Sequence, residues 1–314
     1  MSSVSACNKI IVNVSERDRS DMILHPLMIA VVLVSYVSIF IYYTLSVFRK
    51  HSGLPPWEHL FGMLALLMMG ISLILAVFYL LMVRAANHSK REASLRKALI
   101  EYVEGVSSRK NIDVSQHLRN LRGLDGKYLR EEKTGNPKRD IIWVAVPGLL
   151  GFVVMFIPQL EDYILPLVAA CFFLSVVIAL IVVPDATTFG LKHDKRSVEF
   201  TAAFSNACRV LGMRVVPMSK SVGFRSFLVF LIITVITAGI FAVVWTYMIF
   251  SDMNKHFQEQ WKFEDHLFRM VRSTEIQYLG TSASAVAPEV MSGTGILPDQ
   301  NATETVTEND DEYI

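Results

Sequence analysis

The stretch LFGMLALLMMGISLILAVFYLLMV, Leu60 to Val83, contains no Asp, Glu, Lys or Arg and is long enough to cross a hydrocarbon core, which takes roughly 20 residues of helix. Four further blocks share that property: Leu27 to Phe48, Ile141 to Pro158, Ile164 to Val183 and Phe227 to Phe250. Lipid offers the backbone no hydrogen-bond partners, so segments of this kind fold as helices. The expected fold class is all-α, a polytopic helical membrane protein with five transmembrane helices. Overall composition, 52% hydrophobic with a formal net charge of +1 over 314 residues, gives no reason to expect a nucleic-acid partner.

Charge outside the blocks sets an orientation. The segments 84–140 and 184–225 are rich in Lys and Arg, whereas only Gln159, Leu160, Glu161, Asp162 and Tyr163 separate blocks three and four. Basic loops stay cytoplasmic. This places the polar segment 1–22 inside, the hairpin 23–83 and the hairpin 141–183 in the membrane, and the chain beyond a fifth helix at 226–250 outside. Arg49 and Lys50, directly after the first block, run against that orientation. Gly53, Pro55 and Pro56 turn the first hairpin, and Trp57 suits the interface where the chain re-enters.

Amphipathic stripes occupy the polar segments. Leu95, Leu99, Tyr102 and Val103 recur at helical spacing among Lys90, Arg91, Arg96, Lys97 and Glu101; a shorter helix is expected from Asp113 to Gly123. Phe200, Phe204, Cys208, Leu211 and Val215 form a stripe that reads as an interfacial helix on the inner leaflet. As a sixth crossing, through Phe200 to Val216, it would move the C-terminus inside. In 251–280, Phe257, Trp261, Phe263, Leu267, Phe268 and Val271 make one broad apolar side, and the acidic, Ser/Thr-rich tail 281–314 is expected to be disordered.

Thr237, Gly239, Ile240 and Phe241, followed by Trp245 and Tyr247, resemble the T-x-G-I-aromatic, then W-x-Y, signature of a prokaryotic and archaeal membrane family classed as a domain of unknown function. The similarity covers one helix, and Met248 stands where members of that family carry a basic residue. The resemblance implies a small multipass membrane protein and transfers no catalytic residues. There is also an internal echo: Tyr79, His88, Leu95, Leu99 and Val103 share their spacing with Tyr247, His256, Phe263, Leu267 and Val271. A duplication in one orientation would put both amphipathic helices on the same side, against the five-crossing count.

Chemistry-bearing patterns are scarce. His256, Glu259 and His266 are metal-ligating types, but ten residues of helix rotate the two histidines apart, so no metal site is expected there. His25 reads as an interfacial residue. Cys7, Cys171 and Cys208 have no pairing or ligand spacing, and the Val4-Ser5-Ala6-Cys7 box lacks the apolar stretch that lipidation or signal cleavage requires. No phosphate loop, zincin helix or nucleophile elbow is present, and Asn301 to Thr303 forms a glycosylation sequon. No catalytic or cofactor-binding residue and no cofactor is expected. The functional expectation is a non-catalytic scaffold or accessory subunit that binds the bilayer and other membrane or cytoplasmic proteins. Its candidate contact residues are Lys90, Arg91, Arg96, Lys97, Phe257, Trp261 and Phe268. The alternative is a transporter or channel for a small uncharged or weakly polar solute, using polar faces such as Ser35, Ser38, Thr234 and Thr237.

Overall fold

A computed structural model describes residues 3–52, 60–132, 136–154, 164–237 and 239–286. The protein is all-α. The described residues form α1 (Ser3–Ser15), α2 (Arg17–Ser20), α3 (Met28–Ser52), α4 (Leu60–Lys110), α5 (Ser115–Glu131), α6 (Pro137–Val154), α7 (Ile164–Val210), α8 (Phe227–Ile236) and α9 (Ile240–Val286). Among them, one helix, within Met68–Lys110, is long and apolar enough to cross a membrane. The chain divides into two compact units, Met1–Arg272 and Ser273–Ile314. Everything below concerns the first; the described residues of the second are helical. The turns expected at 53–59 and 159–163, the sequon and the acidic tail lie outside the described residues, apart from the helical 281–286.

Three helices dominate because nothing stops them where the apolar blocks end. Beyond Val83, α4 meets good helix formers and a renewed apolar stripe, and it ends only at Asn111, whose φ of 52° leaves the helical region. α7 runs through Pro184 and closes at Gly212, where φ is +75° and Met213 N donates to Cys208 O at 2.9 Å. A left-handed residue after the last turn is a site where glycine carries no Cβ penalty. α3 lies along α4, with Gly70 against Ile39 and the carbonyl of Ser35, and α6 lies along α7, with Gly148 facing Ser175.

The lower halves of α4, α7 and α9 share one core. Leu95, Leu99 and Val103, Phe200, Phe204 and Cys208, and Phe263, Leu267 and Val271 are all buried in it, together with Ala6, Cys7 and Ile10 of α1 and Leu118, Leu121 and Tyr128 of α5. This corrects the interfacial helix expected at Phe200 to Val215. Phe200, Phe204 and Cys208 lie in the second half of α7 and Leu211 and Val215 just beyond it, covered by the stripes of their neighbours, while Arg209 and Arg214 point to the surface. No separate helix runs from Phe200 to Val216. α5 begins where expected, with Asp113 Oδ1 accepting from Ser115 N at 2.8 Å, but passes through Gly123 to Glu131.

The fifth apolar block is not one helix, a second correction. α8 ends at Thr237, and Gly239, at φ +90°, starts the return. Phe230 packs on Phe241 at 5.4 Å and Phe227 on Trp245 at 5.6 Å between ring centroids. On one straight helix Phe227 and Trp245 would stand about 27 Å apart. Arg225, just before α8, pairs with Asp252 at 2.8 Å. Arg84, where the first α4 block ends, donates to Phe250 O at 2.7 Å and Asn254 Oδ1 at 2.8 Å, and Asn254 also bonds the backbone of Leu24. The entry to α3 and the lower arms of α4 and α9 therefore meet at one end, as does the start of α8.

Gly105 of α4 allows α1 to dock, since a Cβ there would sit 2.9 Å from Ser3 Cα. Gly105→Ala should cost roughly 1–3 kcal/mol and speed amide exchange across α1. Gly123→Ala, whose Cβ meets nothing within 4 Å, should stabilise the protein by up to about 1 kcal/mol. Denaturant titration with hydrogen exchange checks both; equal effects would show that the α1 contact does not limit the site.

Candidate metal centre

His88 of α4, His193 of α7 and His256 of α9 occupy the same register on three helices. Each is followed by buried side chains seven, eleven and fifteen residues on, namely Leu95, Leu99 and Val103; Phe200, Phe204 and Cys208; Phe263, Leu267 and Val271. Packing these stripes together brings the histidines to one height. Their rings form a near-equilateral triangle, with centroids 5.0, 5.2 and 4.9 Å apart and interplanar angles of 72°, 86° and 73°. All three are fully buried, and Glu92, one turn beyond His88, completes the group at 5% exposure.

Every histidine has a carboxylate on Nδ1. Asp21 Oδ1 lies 2.8 Å from His88, Glu132 Oε1 2.6 Å from His193, and Asp194 Oδ1 2.9 Å from His256. A carboxylate there fixes the tautomer with hydrogen on Nδ1, leaving a lone pair on Nε2, and orients the ring. The carboxylates are themselves held. Asp21 accepts from Arg91 Nη2 at 2.6 Å, Trp261 Nε1 at 2.9 Å and Ser20 Oγ at 2.8 Å. Asp194 accepts from Ser221 N, Ser221 Oγ and Val222 N, and Glu132 pairs with Arg196 at 3.2 Å.

The inward atoms are the unusual ones. One ligand atom from each of His88, Glu92, His193 and His256 lies within 4.8 Å of the other three. His88 Nε2, His193 Nε2, His256 Nε2 and Glu92 Oε2 are buried without a hydrogen-bond partner of acceptable geometry, although His193 Nε2 approaches Glu92 Oε2 to 2.6 Å. Glu92 Oε1 is positioned by Ser197 Oγ at 2.9 Å and Arg96 Nη1 at 3.2 Å. Phe257 tilts over His88 at 4.4 Å and Phe189 stacks on His193 at 5.2 Å, so aromatic rings cover two sides of the group.

Electrostatics separates the histidines. Burial drives the His88 pKa down to about 4 despite the pull of Asp21. Burial also opposes charge on His193, but Glu92 and Glu132 outweigh it and lift its pKa to about 10. Burial likewise resists ionisation of Glu92 and Glu132, and their histidine and arginine neighbours reverse that, holding both below the usual carboxylate range. The chemistry available is coordination: three imidazole nitrogens and a carboxylate are ordinary ligands for a borderline divalent ion such as zinc.

From the sequence, His256 is a ligand type only beside Glu259 and His266, and no metal site is expected there. Glu259 pairs with Lys262 and Ser219, and His266 is exposed, so neither joins His256. The signal was the internal echo, which aligned His88 with His256; the third copy, at His193, has Pro184 where the others have Tyr79 and Tyr247. The expected contact residues divide. Lys90 and Lys97 are exposed and Phe268 is half-buried, but Arg91, Arg96 and Phe257 are interior, which corrects their assignment to a partner or lipid surface. Arg91 bridges Asp21 and Glu264, Arg96 bridges Glu92 and Asp125, and Trp261 is tied to Asp21 with Arg17 over its ring. Of the helix signature, Thr237 and Gly239 make the turn, Ile240 is exposed, Trp245 is buried beneath Phe227 and Phe230, and Tyr247 packs on Phe250. No protein-family model matches the sequence, and no curated protein or solved structure matches it.

Arg91→Met should destabilise the protein by about 3–5 kcal/mol, because Asp21 and Glu264 would both be left buried without their cation. The exposed Lys97→Met should change stability by less than about 0.5 kcal/mol. Chemical denaturation of the purified protein measures the difference; a small Arg91 effect would mean that water reaches the two carboxylates.

Proposed function

We propose that this chain is an integral membrane protein of the scaffold or accessory kind, whose three long helices are clamped on one side of the bilayer by a divalent transition-metal ion. The observation that carries the metal is the convergence of His88, His193 and His256 Nε2 with Glu92 Oε2. A proton on His193 serves Glu92 alone, and the lone pairs of His88 and His256 would then face each other in a buried interior. A cation at their centre satisfies all four. Ligand atoms around a tetrahedral zinc stand about 3.3 Å apart, given bonds of about 2.0–2.1 Å, so the His193–Glu92 contact needs to open by less than an ångström.

Four protein ligands leave no open coordination position, the pattern of a structural rather than a catalytic ion. This agrees with a non-catalytic role. Membrane residence is supported by the uncharged blocks and by large apolar side chains facing outward, among them Phe40, Trp143, Leu150, Phe173 and Ile181, on a scale that water-exposed surfaces avoid. We read α3 with α4 and α6 with α7 as two membrane hairpins. The Lys- and Arg-rich segments 84–140 and 184–225 put the metal module in the cytoplasm. Lys90, Lys97 and Phe268 remain on its surface for partners.

Protein purified in detergent without chelators should contain stoichiometric metal by elemental analysis, and Co(II) exchanged into it should give a tetrahedral visible spectrum. His193→Ala combined with His256→Ala should abolish both. Asp21→Asn should weaken affinity by about 10–100-fold. Free ion at a hundred times Kd should add about 2.7 kcal/mol of stability. A wild-type protein that carries no metal, takes up neither Zn(II) nor Co(II), and gains no thermal stability from them would refute the reading.

A further inference from the structure

We infer that the α8–α9 hairpin is a half-depth membrane insertion whose occupant partner is the acyl region of a single leaflet, the one facing the metal module. The inference rests on the proposed membrane residence and not on the metal. α8 has ten residues, a rise of about 15 Å, or half of a hydrocarbon core about 30 Å thick. Between Ser226 and Ser251 there is no Asp, Glu, Lys or Arg, and the chain returns instead of crossing. A fifth crossing would put Arg225 and Asp252 on opposite faces; here they form a two-pronged ion pair at 2.8 and 3.0 Å that closes the base of the hairpin.

A turn placed in lipid must satisfy its own backbone. The described N–H groups of this one are bonded within the turn. Thr237 N donates to Ile233 O at 2.9 Å, Gly239 N to Thr234 O at 2.8 Å, Ile240 N to Thr237 O at 3.1 Å and Ala242 N to Gly239 O at 3.0 Å. Thr237 Oγ1 accepts from Phe241 N at 3.1 Å, sealing the first turn of α9. The tip is also the most outward-facing apolar part of the hairpin: Val235, Ile236 and Ile240 are each more than 70% exposed. A self-sealed apolar tip suits acyl chains and needs no protein cover. Toward the base, exposed Lys220 and Lys255 provide positive charge that complements anionic headgroups.

The consequence is topological. α9 leaves the membrane on the side that α8 entered. It also makes His256 the continuation of an arm anchored in the leaflet, six residues beyond Phe250.

Single cysteines introduced by Phe224→Cys, Lys255→Cys, Ile236→Cys and Lys97→Cys test this in sealed membrane vesicles of both orientations, with an impermeant thiol reagent and the unsubstituted chain as blank. The first two positions flank the hairpin in exposed sites, and Lys97 marks the module. Phe224→Cys and Lys255→Cys should label from the same face as Lys97→Cys, and Ile236→Cys from neither. A nitroxide on Ile236→Cys should be quenched by oxygen more than by a water-soluble nickel chelate. Labelling of Lys255→Cys only from the face opposite Phe224→Cys would overturn the inference in favour of a fifth crossing. Labelling of Ile236→Cys from the module's face at the rate of Phe224→Cys would overturn it in favour of a hairpin lying in water. Recovery of the chain in the aqueous fraction after alkaline extraction would instead remove the membrane reading beneath it, so the two failures are distinguishable.

Discussion

Three hydrogen bonds between buried carboxylates and histidine Nδ1 atoms tie together parts of the chain that nothing local would join. Asp21 precedes the first apolar helix, Glu132 follows α5, and Asp194 lies beside His193 on α7 yet reaches across to His256. An ionised carboxylate loses several kcal/mol of solvation on burial, and only well-aligned partners offset that loss. The histidines must therefore stand where the carboxylates need them, and the three helices must hold a common register. A slip of one helix by a turn would carry its histidine about 5.4 Å out of the plane of the other two. It would also push a polar residue into the stripe below.

That register dictates how the apolar segments enter the molecule. Each long helix descends from an apolar arm: α4 beside α3, α7 beside α6, and α9 folded against α8. If all three lower arms are to meet side by side, all three must leave the apolar layer at the same end, so each needs a returning partner. The partners differ in length, with 25 residues in α3, 18 in α6 and ten in α8. Gly239 and the Thr237 hydroxyl let the chain reverse after ten residues of α8, and the Arg225–Asp252 pair locks the two arms at their foot. A straight helix over Phe227 to Phe250 would have carried His256 away from His88 and His193.

Much of the helical content was legible, because uncharged runs and stripes of period 3.6 are local signals. The Leu95 stripe is helical as expected, though continuous in α4 with the block that ends at Val83, and α5 starts within two residues of the expected Asp113. What a stripe cannot report is its cover. Phe200, Phe204 and Cys208 looked like a face for lipid because most of the core that buries them, including Leu99 and Phe263, is far away in sequence. The same limit hid the site. His88, His193 and His256 are each isolated, and Asp21 and Glu132 lie 67 and 61 residues from the histidines they orient. Two of the three histidines were linked by the Tyr79 and Tyr247 echo. His193 has Pro184 at the position where the other two have tyrosine, so it stood outside the echo, while the turn at Thr237 to Gly239 read as a family signature rather than as a reversal.

The clean interiors of the apolar blocks gain a physical meaning from this arrangement. Ionisable groups are absent from the blocks and gather immediately beyond them, from Arg84 to Arg96, Asp194 to Arg196 and Asp252 to Glu264. There the helices still exclude water from one another, yet the N-terminal segment and the residues after α5 are close enough to supply Asp21 and Glu132. A metal ion held there meets a ligand set without thiolate, so its retention does not depend on redox state. It also meets three imidazoles whose rings are each locked from behind. Copper(II) heads the affinity order for divalent ions but favours a tetragonal plane, whereas zinc, with a filled d shell, accepts whatever directions the protein imposes. Three imidazole nitrogens and one carboxylate brought together from three helices are a set that zinc accepts without a preferred plane. The carboxylates behind the rings hold those donor atoms in place.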